Sequence, residues 1–538
     1  MKRFLALICV FALLAGLMAG CGGNTANEQK ETQPQAQPEQ STEAQQPVEE
    51  KESVFTVGIS YMPDNLAPLG GYDNLVSMTR PLYDALQIEV NGEIHKFLAE
   101  SIEISEDGKV YTVHINKDAN WSDGKPVVAD DIIFTVNYYN EAAGSASPYG
   151  FVLGQPVVYE AVDAKTLKVT LPAANNSFTG TLAGIRPIPS HPFEGDLAKL
   201  DVTYFANPDM ATSGAYKVAA INEDSFVCVK REDYYRGVAK VDKVIMKTIG
   251  TGTTTQMAFE SGEIDYMNVT TVQELEKYLA DTANYNVYSI PQGRVNFLVV
   301  NPKSEVLAND DARKALFLAL NVQEMVDAAY GSEALGTVAT QYLTPQQTPY
   351  NPAIKGYEQN LEEAKALAKT SGLEGATLNY VYNTERAGME QVAVVIQQQL
   401  KEIGVTVNII PTDNTAFLAK WGEIPMPGET ASFDIMTQGF GELVGGSMGI
   451  WNTLFMAFAD NLRMPVEVKM NAAAAMGIAD AEQLRAVATT IQEAAMTAYT
   501  IYPISNTSYV IVSHKNVTGL DAIPFVPEFV DYLAINVE

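Results

Sequence analysis

FLAESIEISEDGKVYTVHINKDANWSDGKPVVADDIIFTVNYYN, residues 97–140, is the stretch whose reading decides the fold. Ile102 and Ile104 alternate with polar neighbours and lead into Glu106-Asp107-Gly108-Lys109. Tyr111, Val113 and Ile115 then share one face of a second run. Two alternating runs joined by Asp-Gly predict a β-hairpin with both turn residues at positive φ. Trp121-Ser122-Asp123-Gly124 predicts another turn, and Pro126 keeps the chain extended. From Ala129 the apolar period becomes helical, with Ile132, Val136 and Tyr139 in one stripe and Ile133 beside it. Asp130 and Asp131 fall in the first turn, where the helix dipole favours negative charge.

The same residues also resemble the signature segment of the family 5 extracellular solute-binding proteins, the peptide, nickel and related receptors of ABC importers. Leu98-Ala99-Glu100-Ser101, Tyr111-Thr112-Val113-His114-Ile115 and Trp121-Ser122-Asp123-Gly124-Lys125-Pro126 carry the likeness. Later blocks extend it over about residues 53–538. They are Thr212-Ser213-Gly214-Ala215-Tyr216-Lys217-Val218, with Ala215 in place of Pro, and Tyr234-Tyr235 followed by Val241-Asp242-Lys243-Val244. Phe259-Glu260-Ser261-Gly262-Glu263-Ile264-Asp265 and a passage through Arg313, Ala315 and Ala319-Leu320-Asn321 complete the set.

The resemblance implies an α/β fold of the periplasmic-binding-protein type II, in the three-domain (cluster C) form, with two α/β lobes around a ligand cleft. By it, domain I is built from residues 53–97, 186–293 and 506–538, domain II from 98–185 and domain III from 294–505. It implies a substrate-binding component of an ABC importer that captures a small solute, foremost a short peptide, by lobe closure. The partners implied are a membrane permease and cytoplasmic ATPases, with the binding protein itself a monomer. A nickel-chelate or other small-solute receptor remains open within the family.

Composition agrees with that class. A chain of 538 residues, 47% of them hydrophobic, is long enough for two or three lobes. Thirty-five Lys and Arg against 65 Asp and Glu give a formal net charge of −30. With no basic stripe to neutralise phosphates, nucleic acid is excluded as a partner. Such an acidic body is also repelled by anionic lipid, so a separate anchor is needed to hold it at a membrane.

Lys2 and Arg3 precede an apolar run that ends at Cys21, the pattern of a secretory signal over residues 1–21. Met18-Ala19-Gly20-Cys21 resembles a lipobox, with Met18 in place of the usual Leu, and implies lipidation of Cys21. The protein is then extracytoplasmic and held to the cell membrane by that lipid; a plain signal peptide cut elsewhere is the alternative. Residues 22–52 are Gln, Glu, Pro, Thr and Ala with almost no large apolar side chain, which predicts a disordered tether. Cys228, alternating with Phe226 and Lys230, reads as a buried small hydrophobe.

Further along, residues 54–60 read as a strand, 77–86 as a helix, 161–171 as a hairpin, and 287–290 and 296–301 as two strands. Residues 312–329 read as one amphipathic helix. The segments 361–367, 378–382, 392–403 and 405–410 alternate helix and strand, which predicts a largely parallel sheet covered on both faces. A strand at 433–437, a helix at 481–497 and a strand at 509–513 follow.

Covalent chemistry leaves little trace. His95, His114, His191 and His514 are scattered without metal-ligand spacing, and neither a metal nor a cofactor is expected. Gly331 to Gly336 lacks the Lys-Ser/Thr of a phosphate loop, so ATP hydrolysis belongs to a partner. Gly445-Gly446-Ser447-Met448-Gly449 matches G-x-S-x-G, making a surface serine hydrolase using Ser447 the rival from another class. Its base could only be His514, which reads as an ordinary surface histidine beside Lys515.

For binding without chemistry, the resemblance points to Gln438-Gly439-Phe440-Gly441-Glu442-Leu443, where peptide receptors of the family carry Gly-Trp-x-x-Asp. Phe440 then stands for the Trp, and Glu442 is the acid that would meet an α-amine. By the same likeness Tyr72, Arg294, Asn296 and Asn414 face the cleft.

Overall fold

The computed structural model describes residues 52–69, 78–90, 93–144, 147–175, 177–424, 431–441, 451–478, 480–522 and 531–538. The expectations placed on Cys21, Tyr72, Glu442 and Ser447 fall outside them. In chain order the strands used below are β1 (Val54–Ile59), β2 (Ala99–Ile104), β3 (Val110–Ile115), β4 (Val158–Asp163) and β5 (Thr166–Thr170). They continue with β6 (Tyr216–Ile221), β7 (Ser225–Lys230), β8 (Lys243–Thr248), β9 (Tyr266–Val269) and β10 (Tyr285–Val300). The last are β11 (Gly336–Val338), β12 (Thr377–Asn383), β13 (Thr406–Thr412), β14 (Ile435–Gly441) and β15 (Ile501–His514).

The deciding stretch forms the hairpin β2–β3, followed by the helix Ala129–Ala143. Its turn differs from the expected one. Only Gly108 has positive φ, at 67°, because the loop is longer than two residues. Ser105 N–H donates to the Val110 carbonyl, Gly108 N–H donates to the Ser105 carbonyl, and the Asp107 carboxylate accepts from Ser105 Oγ at 2.6 Å. Asp107 therefore works as a side-chain acceptor, and the single residue that must turn left-handed is the glycine.

Asp131 does more than face the helix dipole. It is buried, and its carboxylate accepts from Trp121 Nε1 at 3.0 Å, Val128 N–H at 2.9 Å, Ser190 N–H at 2.8 Å and Ser190 Oγ at 2.6 Å. The Trp-Ser-Asp-Gly turn, the helix start and the 185–190 segment are thus joined at one carboxylate. A buried anion survives only when its lone pairs are filled, and these four donors fill them.

The hairpin belongs to a four-stranded antiparallel sheet in the order β2-β3-β5-β4. The remaining strands make one large sheet, β6-β7-β8-β1-β9-β15-β10-β14-β12-β13, with β11 paired to β15. Among the described residues, three apolar clusters fill the body. The first joins the small sheet to the β1 side through Phe55, Trp121, Ile132 and Tyr216. The other two cover opposite faces beyond β10, so Leu298 and Val300 point into one while Val295, Phe297 and Val299 point into the other. That alternation is what a strand buried on both faces requires.

Several elements depart from the sequence reading. Of residues 77–86, only Met78 and Thr79 are helical among those described, because Gly214 and Tyr216 N–H groups take the Leu82 and Pro81 carbonyls. A Cβ on Gly214 would lie 2.4 Å from the Pro81 oxygen, so this crossing requires glycine. The single helix expected at 312–329 is two, Asp310–Ala319 and Val322–Tyr330, since Asn321 caps the second through Gln323 and Glu324 N–H. The two strands expected at 287–290 and 296–301 are one 16-residue strand, β10, that continues through a bulge between Pro291 and Arg294. Gly293 takes positive φ there.

The first strand is tied at its start. Ser53 N–H and Oγ each donate to Asp242 Oδ2 at 2.8 Å, and Lys230 Nζ lies 2.8 Å from Asp242 Oδ1. These contacts, the Lys230 one foremost, hold the Asp242 carboxyl down at about 2 against an ordinary 3.8.

Two predictions follow from these carboxylates. Asp131→Ala strands a buried indole N–H and two backbone N–H groups, and is expected to cost about 3–5 kcal/mol. Urea unfolding checks this, and a loss below 1 kcal/mol would refute the hub. Asp242 has a folded pKa below its unfolded one, so its stabilisation is present above about pH 4 and is lost as pH falls toward 2. Asp242→Asn should flatten the acid limb of the stability–pH curve in that window; an unchanged limb would contradict the assignment.

Candidate functional site

Parallel strands direct their carboxyl ends, and the loops after them, toward a crevice. Here there are two such sets. β1 runs parallel to β8 and β9, and β12 runs parallel to β13 and β14. Between them β10 and β15 cross antiparallel, so the two sets run in opposite directions. The end of β9 reaches Val510 at Val269, and the end of β14 reaches Arg294 at Gly441. Both sets therefore end near the β10 bulge, facing each other.

A cavity of about 1130 Å³ opens there. One wall carries Ile59 at the end of β1 and Ser60 after it, Gly250 after β8 and Thr270 after β9; the other carries Tyr330, Tyr382, Glu385 and Arg386. A second space of about 330 Å³ shares Asn268, Tyr330, Arg386 and Tyr509 with it and adds Arg294, Asn296 and Thr507. The two are parts of one cleft.

Its floor is polar and closely packed. Asn296 is buried, and its Nδ2 donates to Ser505 Oγ at 3.1 Å and Tyr330 Oη at 3.3 Å. The Tyr330 and Ser505 hydroxyls lie 3.1 Å apart, and burial pushes the Tyr330 hydroxyl up, so it stays protonated at neutral pH. Arg294 Nε donates to Asn296 Oδ1 at 3.1 Å and its Nη2 to the Gly439 carbonyl at 2.7 Å. Arg386 Nη1 reaches the same carbonyl at 3.4 Å and Gln438 Oε1 at 3.0 Å. Two guanidiniums thus converge on one main-chain oxygen of β14.

Gly439 makes this possible. A Cβ there would lie 2.0 Å from Asn296 Oδ1, 2.7 Å from Arg294 Nη2 and 2.9 Å from Arg294 Nε.

Of the residues expected at the site, Arg294 and Asn296 line the smaller space. Asn414 begins the helix Asn414–Trp421, and its Oδ1 accepts from Asn383 Nδ2 at 2.9 Å. Phe440 is partly buried between Phe297 and Trp421, at ring separations of 5.6 and 5.5 Å. Neither Asn414 nor Phe440 lines either space. Tyr72 and Glu442 are outside the described residues. Sequence reasoning missed Arg386, Glu385 and Tyr330. The available signal was Thr384-Glu385-Arg386 at the carboxyl end of a strand in a βαβ unit, where crevice residues collect.

His514 is not the surface histidine it was read as. Its ring stacks on Phe259 at 4.4 Å, and its Nε2 lies 2.9 Å from the Phe259 carbonyl oxygen. Among the described residues no group of three or more His, Cys, Asp or Glu is placed to hold a metal ion. No helix among them is long and apolar enough to cross a membrane.

The sequence pattern of the bacterial extracellular solute-binding proteins, family 5 (middle region), matches residues 93–443. The chain belongs to this family. Family 5 proteins are solute-binding components of ABC transporters, not enzymes. This family 5 protein is 27% identical to the dipeptide-binding protein DppE of Bacillus subtilis over 441 residues, 76% of this chain and 77% of that one. It is 24% identical to the dipeptide-binding protein of Escherichia coli over 404 residues, 70% and 74% of the two chains. Among solved structures, the ABC transporter substrate-binding protein CtaP of Listeria monocytogenes superposes with a TM-score of 0.80 at 27% identity. That match covers 90% of this chain and 99% of CtaP.

The close approach at Gly439 is testable. Gly439→Ala is expected to cost about 1–3 kcal/mol by forcing the Asn296 and Arg294 side chains aside. Combined with Asn296→Ala, which removes the clashing amide, it should cost less than the sum of the two changes. Strict additivity in a urea-unfolding cycle would show that the groups do not meet.

Proposed function

We propose that this family 5 protein captures a short peptide in the cleft between β1–β8–β9 and β12–β13–β14, and releases it unaltered to an ABC permease driven by cytoplasmic ATPases. The observation that carries the reading is the guanidinium pair, Arg294 and Arg386, at the inner end of a cleft bounded by two opposed sets of strand ends. A free carboxylate is the ligand group that best suits two converging guanidiniums, because charge-assisted, paired hydrogen bonds are strong and directional. The named activities of the Bacillus subtilis and Escherichia coli relatives support peptide as the cargo.

Closure fits a cleft whose two walls lie on separate strand sets. A ligand touching both stabilises the closed form in proportion to the contacts it makes only there. In this reading residues 53–97, 186–293 and 506–538, with 98–185 attached, form one side, and residues 294–505 the other. The bulge between Pro291 and Arg294 supports a boundary at 293/294. The cluster joining Ala258, Phe259 and Tyr278 to Leu316 and Tyr380 reaches across that division in the described form. Lipidated Cys21 and the residue 22–52 tether hold a monomeric, acidic body near the permease. Tyr72, Asn414, Phe440 and Glu442 complete the cleft when it shuts, with Glu442 toward the peptide amine.

Peptide titration tests this directly. Short peptides with free termini should raise the melting temperature and shrink the radius of gyration in solution scattering. Arg386→Gln should weaken them about 10- to 100-fold while leaving carboxyl-amidated peptides little changed. An equal loss for both forms would remove Arg386 from carboxylate recognition, and recovery of cleaved peptide would overturn the transport reading.

A further inference from the structure

The charges lining the larger part of the cleft are unequal. Among the described residues, Glu274, Asp327, Glu385 and Glu390 line it, against the single guanidinium of Arg386. They come from different elements, so the imbalance belongs to the cavity and not to one helix face. Glu274 lies on the helix Val272–Leu279, Asp327 on Val322–Tyr330, and Glu385 and Glu390 follow β12, the latter in the first turn of Met389–Lys401.

Their neighbours do not neutralise them. Glu274 Oε2 accepts from Thr270 and Thr271 N–H, Asp327 Oδ1 from Gln323 Nε2 at 2.8 Å, and Glu385 Oε1 from Asn414 N–H at 3.0 Å. These donors are uncharged. Elsewhere the described acids find lysines, as Glu263 does with Lys247 and Glu363 with Lys314, but none of the four cleft acids lies in such a pair among the described residues. Tyr382, on the same wall, senses the result: its hydroxyl is pushed up first by burial and then by the Glu390 charge. At the inner end Arg294 donates to the Gly439 carbonyl, and Arg386 to that carbonyl and to Gln438 Oε1.

We infer that the larger part of the cleft is anionic along Glu274, Asp327, Glu385 and Glu390, and so selects peptides with basic side chains. This rests on the cleft being the peptide site proposed above. A cleft lined by one sign of charge focuses its field between low-dielectric walls, which concentrates the opposite charge and speeds its capture at low salt. Acidic side chains meet repulsion from several directions at once, which is how a permissive main-chain site becomes selective.

The experiment uses the full purified chain and three tripeptides with identical free termini, Ala-Lys-Ala, Ala-Ala-Ala and Ala-Glu-Ala, titrated calorimetrically at low and high salt. The expected order is basic, neutral, acidic, with about tenfold or more between the extremes at low salt. The spread should narrow at high salt, and again in Asp327→Asn/Glu390→Gln, whose two positions are solvent-exposed. Equal affinities or the reverse order overturn the inference while leaving the peptide reading intact. Binding of spermidine with no tripeptide bound keeps the charge preference and overturns the peptide reading; binding of neither overturns both. If the double variant fails to fold, the series on the unaltered chain still decides.

Discussion

The pairing of β10 with β15 is the constraint on which everything else rests. These two long strands hydrogen-bond to each other from Tyr285–His514 at one end to Val299–Ile501 at the other. At about 3.3 Å per residue, a 16-residue strand spans roughly 50 Å, enough to serve two sheet halves in turn. β9 joins one end of the pair and β14 the other, and because the crossing is antiparallel the outer strand sets run in opposite directions. Their carboxyl ends meet over the middle of the crossing, and the cleft is the consequence. The ladder is interrupted there, between Pro291 and Arg294, so bending costs the fewest hydrogen bonds where the cleft lies.

What fills the middle follows from that geometry. On one face of β10, Val295, Phe297 and Val299 enter a dry core; on the other, Asn296 and Arg294 turn toward the open space. A buried amide is tolerable only with partners, and Tyr330 and Ser505 supply them. Arg294 and Arg386 donate to the Gly439 main-chain oxygen and to the Asn296 and Gln438 side chains, which keep the guanidiniums in place. Glu274, Asp327 and Glu385 in the outer cleft likewise accept from uncharged donors. Position is therefore set by hydrogen bonds, and the inferred selectivity rests on the carboxylates that line the outer cleft.

Much of the local structure was legible because it depends on neighbours in sequence. The β2–β3 hairpin, the helix starting at Ala129 and the alternation of helix and strand from residue 361 all follow from period and turn chemistry. The failures had non-local causes. Residues 77–86 lose their helix to hydrogen bonds from Gly214 and Tyr216, more than a hundred positions away. The break at Asn321 was visible as a capping residue but was overridden by an unbroken apolar stripe. Asp131 looked like a dipole-pairing acid, and its link to Ser190 could not be foreseen from spacing. Arg294 and Asn296, expected through resemblance, line the smaller space, while Arg386 became apparent only once β12 was known to end at the cleft.

Sequence by itself determined the class of this protein. The blocks around the Trp-Ser-Asp-Gly turn and the later Gly-containing blocks carry the resemblance to the family, and their glycines and turn residues meet local backbone requirements that few other residues meet. It also assigned the strands and helices that short-range periodicity can specify. Tertiary structure alone decided where charge accumulates and which side chains share a cavity. Glu274, Asp327 and Arg386 are far apart in the chain, and Coulomb interaction depends on distance through space, which only the crossing of β10 and β15 establishes.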